Sequence, residues 1–217
     1  QSNITTPTIN LNKSIKEVYI PETVTYIGKH AFRECINLKK AIVKGNITSF
    51  YDAEFYHCYA LEELDMSAVT SLTKIGDYFC QGDSKLTTIK IPSTVTSIGG
   101  NAFAQCSSLT SFDFVPSGVT SIGGRAFNDC TGLTDVVIPA GVTIINDYTF
   151  QGCKGLKTFK LPSGLTYLGK NNFQNAYNLT EIIIPGTVVQ VQNDVFHGSG
   201  IKKVIFASVD KSPHCVQ

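Results

Sequence analysis

Residues Leu86–Ser108 read "LTTIKIPSTVTSIGGNAFAQCSS", and the next stretch, Leu109–Gly132, reads "LTSFDFVPSGVTSIGGRAFNDCTG". Leu, Pro, Val-Thr, Ile-Gly, Ala-Phe and Cys keep their places from one to the other. Read outward, the same unit opens at Ile15, Leu38, Leu61, Leu133, Leu156 and Leu179, and a half unit, "IKKVIF", opens at Ile201. The basic period is 23 residues, with two extra residues in the third unit and one extra before the Pro of the fifth.

A period of this length that opens L-x-x-φ-x-φ, with φ apolar, is the signature of a leucine-rich repeat. In the fourth unit Leu86, Ile89 and Ile91 alternate loosely with Thr88 and Lys90. One set faces a core and the other faces water. Pro92 lacks an N–H and ends that ladder. Val95–Ile98 read as a second short extended piece, and Gly99 and Gly100 as a turn. "NAF" with "QC" behind it is too short for a free helix and reads as one helical or 3₁₀ turn. No unit buries its apolar side alone; stacking on the next copy does so.

The sequence thus predicts an α/β repeat solenoid: a right-handed leucine-rich-repeat superhelix with one parallel sheet and short helical or 3₁₀ turns opposite. Residues 1–14 form a lead or cap, 15–206 the solenoid and 207–217 a tail. A Phe column, Phe32, Phe55, Phe103, Phe127, Phe150, Phe173 and Phe196, reads as an internal spine. The third unit departs from it, with Cys80 in the column and Phe79 beside it.

The consensus L-x-x-φ-x-φ-P-x-x-V-T-x-I-G-x-x-A-F-x-x-C-x-x resembles the BspA-like class of leucine-rich repeat over about residues 15–206. The resemblance implies a surface or secreted protein of the kind found in mucosal bacteria and parasitic protozoa. It also implies adhesion to host matrix proteins or to other cells. No ligand residue carries over, because the matching positions are the structural ones.

Composition narrows the function. Lys plus Arg number 18 and Asp plus Glu 17, so bulk charge draws the chain neither to nucleic acid nor to an anionic membrane. No apolar run approaches the ~20 residues of a membrane helix. The chain opens on Gln, so a preceding segment, a secretory signal included, is expected. Five cysteines share a column, Cys35, Cys58, Cys106, Cys130 and Cys153; Cys80 and Cys215 lie outside it. Disulfides between adjacent turns, a metal site and inert buried thiols compete. A file of thiols does not converge on a metal, and no C-x-x-C is present. Asp83, Ala176 and Ser199 stand in the same column, which favours selection for size.

"IGGNAF" and "IGGRAF" lack the G-K-[ST] of a phosphate loop and read as turn chemistry. His30, His57, His197 and His214 fall in different columns, with no triad implied by the register. No catalytic residue, cofactor or metal is expected. A Thr column, Thr25, Thr48, Thr73, Thr96, Thr120, Thr143 and Thr166, offers a hydroxyl face or simply a β-branched ladder, and Val189 in the same place favours the ladder. Sequons stand at Asn3, Asn12, Asn46 and Asn178.

A partner is expected on the strand face, at the third and fifth places of each unit. The third-place row holds Glu17, Lys40, Glu63, Thr88, Ser111, Asp135, Thr158, Glu181 and Lys203. The fifth-place row holds Tyr19, Ile42, Asp65, Lys90, Asp113, Val137, Lys160, Ile183 and Ile205. The core columns repeat, whereas these rows vary. Asp65, Lys90, Asp113 and Lys160 alternate in sign and suit a mixed-charge protein partner; Val137, Ile183 and Ile205 are apolar. The leading expectation is a non-catalytic protein-binding module at a cell surface. A carbohydrate-binding module is the alternative, although Tyr19 is the only aromatic in the two rows. "QSNITTPTINLN" and "ASVDKSPHCVQ" read as weak caps, so a longer protein or self-association through the ends is expected.

Overall fold

In the computed structural model residues 13–208 are described. The sequons Asn3 and Asn12, His214, Cys215 and most of both expected caps lie outside them. The described chain winds as a parallel-strand solenoid of about eight coils.

The L-x-x-φ-x-φ segments form the first row of strands: β1 (Glu17–Ile20), β2 (Lys40–Val43), β3 (Glu63–Asp65), β5 (Thr88–Lys90), β8 (Asp135–Val137), β10 (Thr158–Lys160), β12 (Glu181–Ile184) and β14 (Lys203–Phe206). The V-T-x-I segments form the second row: β4 (Lys74–Ile75), β6 (Ser97–Ile98), β7 (Ser121–Ile122), β9 (Ile144–Ile145), β11 (Tyr167–Leu168) and β13 (Gln190–Val191). Every pairing is parallel and runs coil to coil, as Glu17 to Lys40 to Glu63 to Thr88.

Two features correct the expected α/β architecture. The single sheet is instead two rows broken into several sheets. The first row divides into β1-β2-β3-β5, β8-β10 and β12-β14, and the second into β4-β6-β7 and β9-β11-β13. The fifth coil causes one break. Its extra residue turns 111–115 away from strand geometry, with Val115 N–H donating to Phe112 O at 3.1 Å, so only a bridge from Ser111 to Asp135 survives. Phe112 is buried there and stacks edge-on to Phe127 at 4.9 Å.

The second correction concerns the helical turns: the described residues contain no helix. Each turn segment instead places two residues four apart in the left-handed region, as Asn101 (φ 54°) and Gln105 (φ 65°), or Arg125 (φ 58°) and Asp129 (φ 55°). A right-handed helix cannot run through such positions. The freed amides turn outward along the solenoid. Asn101, Phe103 and Gln105 donate their N–H groups to the carbonyls of Gly124, Ala126 and Asn128 in the next coil, at 3.0, 2.8 and 2.7 Å. The turns thus form a third hydrogen-bonded wall.

The core lies inside these walls. Phe32, Phe55, Phe103, Phe127, Phe150 and Phe173 are buried, and Phe196 is partly so. Their rings stack nearly parallel in runs, as Phe103–Phe127 at 5.7 Å and Phe127–Phe150 at 5.4 Å. Cys80 interrupts the column, and Phe50 fills in against Phe55 and Phe79. Phe159 bridges Phe150 and Phe173, at 4.8 Å from each.

Candidate partner-binding face

The short strands alternate, and β5, β8 and β10 each bury only their middle residue. That places the third and fifth residues of each unit outward, in the rows the repeat register defines. Glu17, Lys40, Glu63 and Thr88 lie side by side, as do Tyr19, Ile42, Asp65 and Lys90. Asp135 pairs with Thr158, Val137 with Lys160, Glu181 with Lys203 and Ile183 with Ile205. Asp113 sits on the interrupted coil, where its carboxylate accepts the Ser111 hydroxyl at 2.7 Å.

The alternating charges are satisfied largely within the chain. Lys40 Nζ meets Glu63 at 2.7 Å, Lys90 Nζ meets Asp65 at 2.7 Å and Lys203 Nζ meets Glu181 at 3.2 Å. Burial raises the Asp65 carboxyl, but hydrogen bonds from Lys90 and Ser67 outweigh it and hold the group at about 2. Hydroxyls of Thr158 and Thr134 hold the Asp135 carboxyl below its ordinary value. Among the described residues Lys160 has no ion-pair or side-chain hydrogen-bond partner. Its neighbours in the row are Val137 and Ile183, which offer no charge.

Three clefts open on this face. One of about 520 Å³ lies between the fourth and fifth coils, beside Thr88, Lys90 and Asp113. The next, about 600 Å³, adjoins Asp113, Asp135 and Val137. The largest, about 890 Å³, lies where β10 and β12 belong to different sheets, and holds Val137, Lys160, Glu181 and Ile183.

The repeated residues elsewhere are occupied structurally. None of the six described cysteines forms a disulfide, and all six are buried. The Sγ–H groups of Cys58, Cys106 and Cys130 donate to Phe32 O, Cys80 O and Phe103 O at 3.0, 3.1 and 3.0 Å. Burial pushes the Cys35 thiol up to about 11 and the others higher still. Hydroxyls of the Thr column turn to the preceding coil, as Thr166 to Thr143 O at 3.0 Å. Of the sequon residues, Asn178 Nδ2 donates to Lys154 O at 2.8 Å and Asn46 Oδ1 accepts the Ser71 hydroxyl at 2.5 Å. No group of three or more His, Cys, Asp or Glu side chains that could hold a metal occurs among the described residues.

Two buried carboxyls escape the columns. Glu54 occupies a place held by Ala in other coils, and Asp83 one held by Cys; both are fully buried. Glu54 Oε1 accepts the Ala31 N–H at 2.9 Å while Oε2 has no partner. Desolvation raises Glu54 to about 8, which favours its protonated form at neutral pH, and raises Asp83 well above its ordinary value.

Exposed and half-buried tyrosines also lie outside the rows. Tyr26 meets Tyr51 edge-on at 6.2 Å, Tyr56 stacks on His57 at 3.8 Å, and Tyr148 lies between Arg125 and Lys170. Reading every column for aromatics, and not the two rows alone, finds them.

Fold and face together define a leucine-rich-repeat solenoid with a strand-lined face. The chain matches the model of the BspA type leucine rich repeat region over residues 7–117 and 109–212, and it belongs to that family. Its structure is similar to a leucine-rich repeat protein of T. pallidum, with 26% identity, 82% of this chain and 71% of that one covered, and a TM-score of 0.55. A leucine-rich repeat protein from Eubacterium ventriosum gives 24% identity, 88% and 60% coverage and a TM-score of 0.55. A leucine rich cell surface protein from Faecalibacterium prausnitzii gives 18%, 97% and 89%, and 0.42. No curated protein matches the chain in sequence. No helix among the described residues is long and apolar enough to cross a membrane.

Proposed function

We propose that this chain is a non-catalytic protein-binding module that presents its strand face to a protein partner at a cell surface or in the extracellular space. The observation that supports it is a constant backbone register carrying different side chains from coil to coil: Glu17, Lys40, Glu63 and Thr88 stand on one ladder. The core columns beneath repeat instead, so no packing demand fixes the outer residues. Regular spacing at ~4.8 Å per coil makes such a face a rigid platform. The cellular setting and an adhesive role toward host matrix rest on what the family implies. The surface tyrosines favour a protein over a sugar ligand, since Tyr19, Tyr56, Tyr59 and Tyr148 have ring faces already met by Lys, Arg or His.

Pull-down against extracellular-matrix proteins, run beside a glycan array, tests the reading. Retention of a protein that weakens with the double substitution Lys90→Glu and Lys160→Glu supports it. Glycan binding without protein retention, or unchanged affinity in the double variant, counts against it.

A further inference from the structure

The largest cleft combines three properties found together nowhere else on the described face. Pairing of the first-row strands is interrupted there, between β10 and β12. Its rim carries Val137 at 61% and Ile183 at 53% exposure, in places where earlier coils carry Asp65, Lys90 and Asp113. Between these two aliphatics stands Lys160, in register with Val137. Lys40, Lys90 and Lys203 each reach a carboxylate on the adjacent strand. Lys160 has aliphatic neighbours in its own row, so its charge is left over.

We propose that this cleft binds an extended segment of a partner protein carrying a carboxylate between two aliphatic side chains. The proposal rests on the reading of the strand face as a protein-binding face and specifies the chemistry of the partner. Covering Val137 and Ile183 removes apolar surface from water and at the same time desolvates the Lys160 ammonium. A neutral segment leaves that ammonium buried and unpaired, and a cationic one repels it. Only an acidic residue at this point offsets the cost, and in the drier cleft its attraction is stronger than at an open surface. Val137 and Ile183 flank Lys160 along the rim of the cleft, and side chains of an extended segment alternate between its two faces. The segment therefore carries Asp or Glu between two aliphatics on its cleft-facing side.

The test is to pan a random dodecapeptide library against the folded chain and measure selected peptides, labelled with fluorescein, by anisotropy. The expected consensus is an acidic residue flanked by aliphatics. Lys160→Glu weakens these peptides at least tenfold, changing the acid of the peptide to Lys restores binding to that variant, and Lys74→Glu, on the second strand row, leaves binding unchanged. Unaltered thermal melting of both variants shows that the fold is intact. No enrichment, a consensus without an acid, or equal binding to Lys160→Glu overturns the proposal. Peptides lost with Lys90→Glu but not with Lys160→Glu overturn the cleft while leaving protein binding by the strand face standing.

Discussion

The carboxylate of Asp77 accepts the backbone N–H of Gly100 in the next coil at 2.8 Å, and it reaches there because residue 99 has no side chain. A Cβ on Gly99 would lie 2.3 Å from Asp77 Oδ1 and 2.7 Å from its backbone N. The same arrangement joins Asp52 to the Asp77 N–H over Gly76, and Asp147 to the Lys170 N–H over Gly169. These glycines serve close approach between coils. Their φ angles are not positive; Gly82, Gly152 and Gly198 are the described glycines in the left-handed region.

Gly99→Ala should therefore destabilise the chain by ~1–3 kcal/mol, as overpacking against backbone does. Adding Asp77→Ala should not restore stability, because backbone atoms of residues 76 and 77 also stand in the way. Gly164 has nothing within 4 Å of its would-be Cβ, and Gly164→Ala should be neutral or stabilising by up to ~1 kcal/mol. Urea unfolding of the three variants decides; a cost for Gly164→Ala equal to that for Gly99→Ala would refute the contact reading.

Phe127 is fully buried between Phe103 and Phe150 and edge-on to Phe112. Phe127→Ala should cost ~3–5 kcal/mol. A measured loss under 1 kcal/mol contradicts the role of the ring in the spine.

The six buried thiols should resist alkylation in the folded state and react together on unfolding, since burial holds their acidities down and closes access. Mass spectrometry of the peptides bearing Cys35, Cys58, Cys80, Cys106, Cys130 and Cys153 reads this directly. Labelling of Cys130 under native conditions at the rate of a free thiol would be inconsistent with its hydrogen bond to Phe103.

Glu54 sets a pH dependence whose sign is fixed by its raised pKa. Below about 4.5 the carboxyl is protonated in both states and contributes nothing to the slope. Between about 4.5 and 8 the unfolded chain releases the proton while the folded chain keeps it, so stability falls as pH rises. The full effect is at most on the order of 5 kcal/mol. Asp83 acts in the same direction. Asp65, held at about 2, acts oppositely: its contribution is present above its ordinary value of 3.8 and is lost below that as pH falls toward 2. The melting temperature should thus rise on acidification from pH 8 to 5, and Glu54→Gln with Asp83→Ala should flatten that slope. An unchanged slope in the double variant would place the titrating groups elsewhere.

The repeat register was enough to locate both strand rows, the Phe spine and the outward residues, because each is a column sustained over most of the eight copies. Composition suited to sheets and turns pointed the same way. The turn wall was not legible as such. Tyr78 and Arg125 give no sign of the left-handed conformation they adopt, since that is imposed by hydrogen bonds to the next coil. The glycine pairs looked like turn residues for a related reason: a single unit does not reveal what its neighbour presses against it. The break at the fifth coil had a visible cause, the extra residue before Pro116. The break between β10 and β12 had none, and the cleft it opens could not be read from Lys160 and Ile183 as letters in a row.

The third wall gives the solenoid an electrical sense. In the strand rows amide and carbonyl groups point both ways along the axis, whereas in the turn wall Asn101, Phe103 and Gln105 all donate toward the following coil, as their equivalents do in other coils. Aligned peptide dipoles sum. The turn side therefore carries partial positive charge at the coil of Asp194 and partial negative charge at the coil of His30, the reverse of the chain sense of an α-helix. That field falls off within about one turn, so at each end it adds to the formal charges nearby and does not override them.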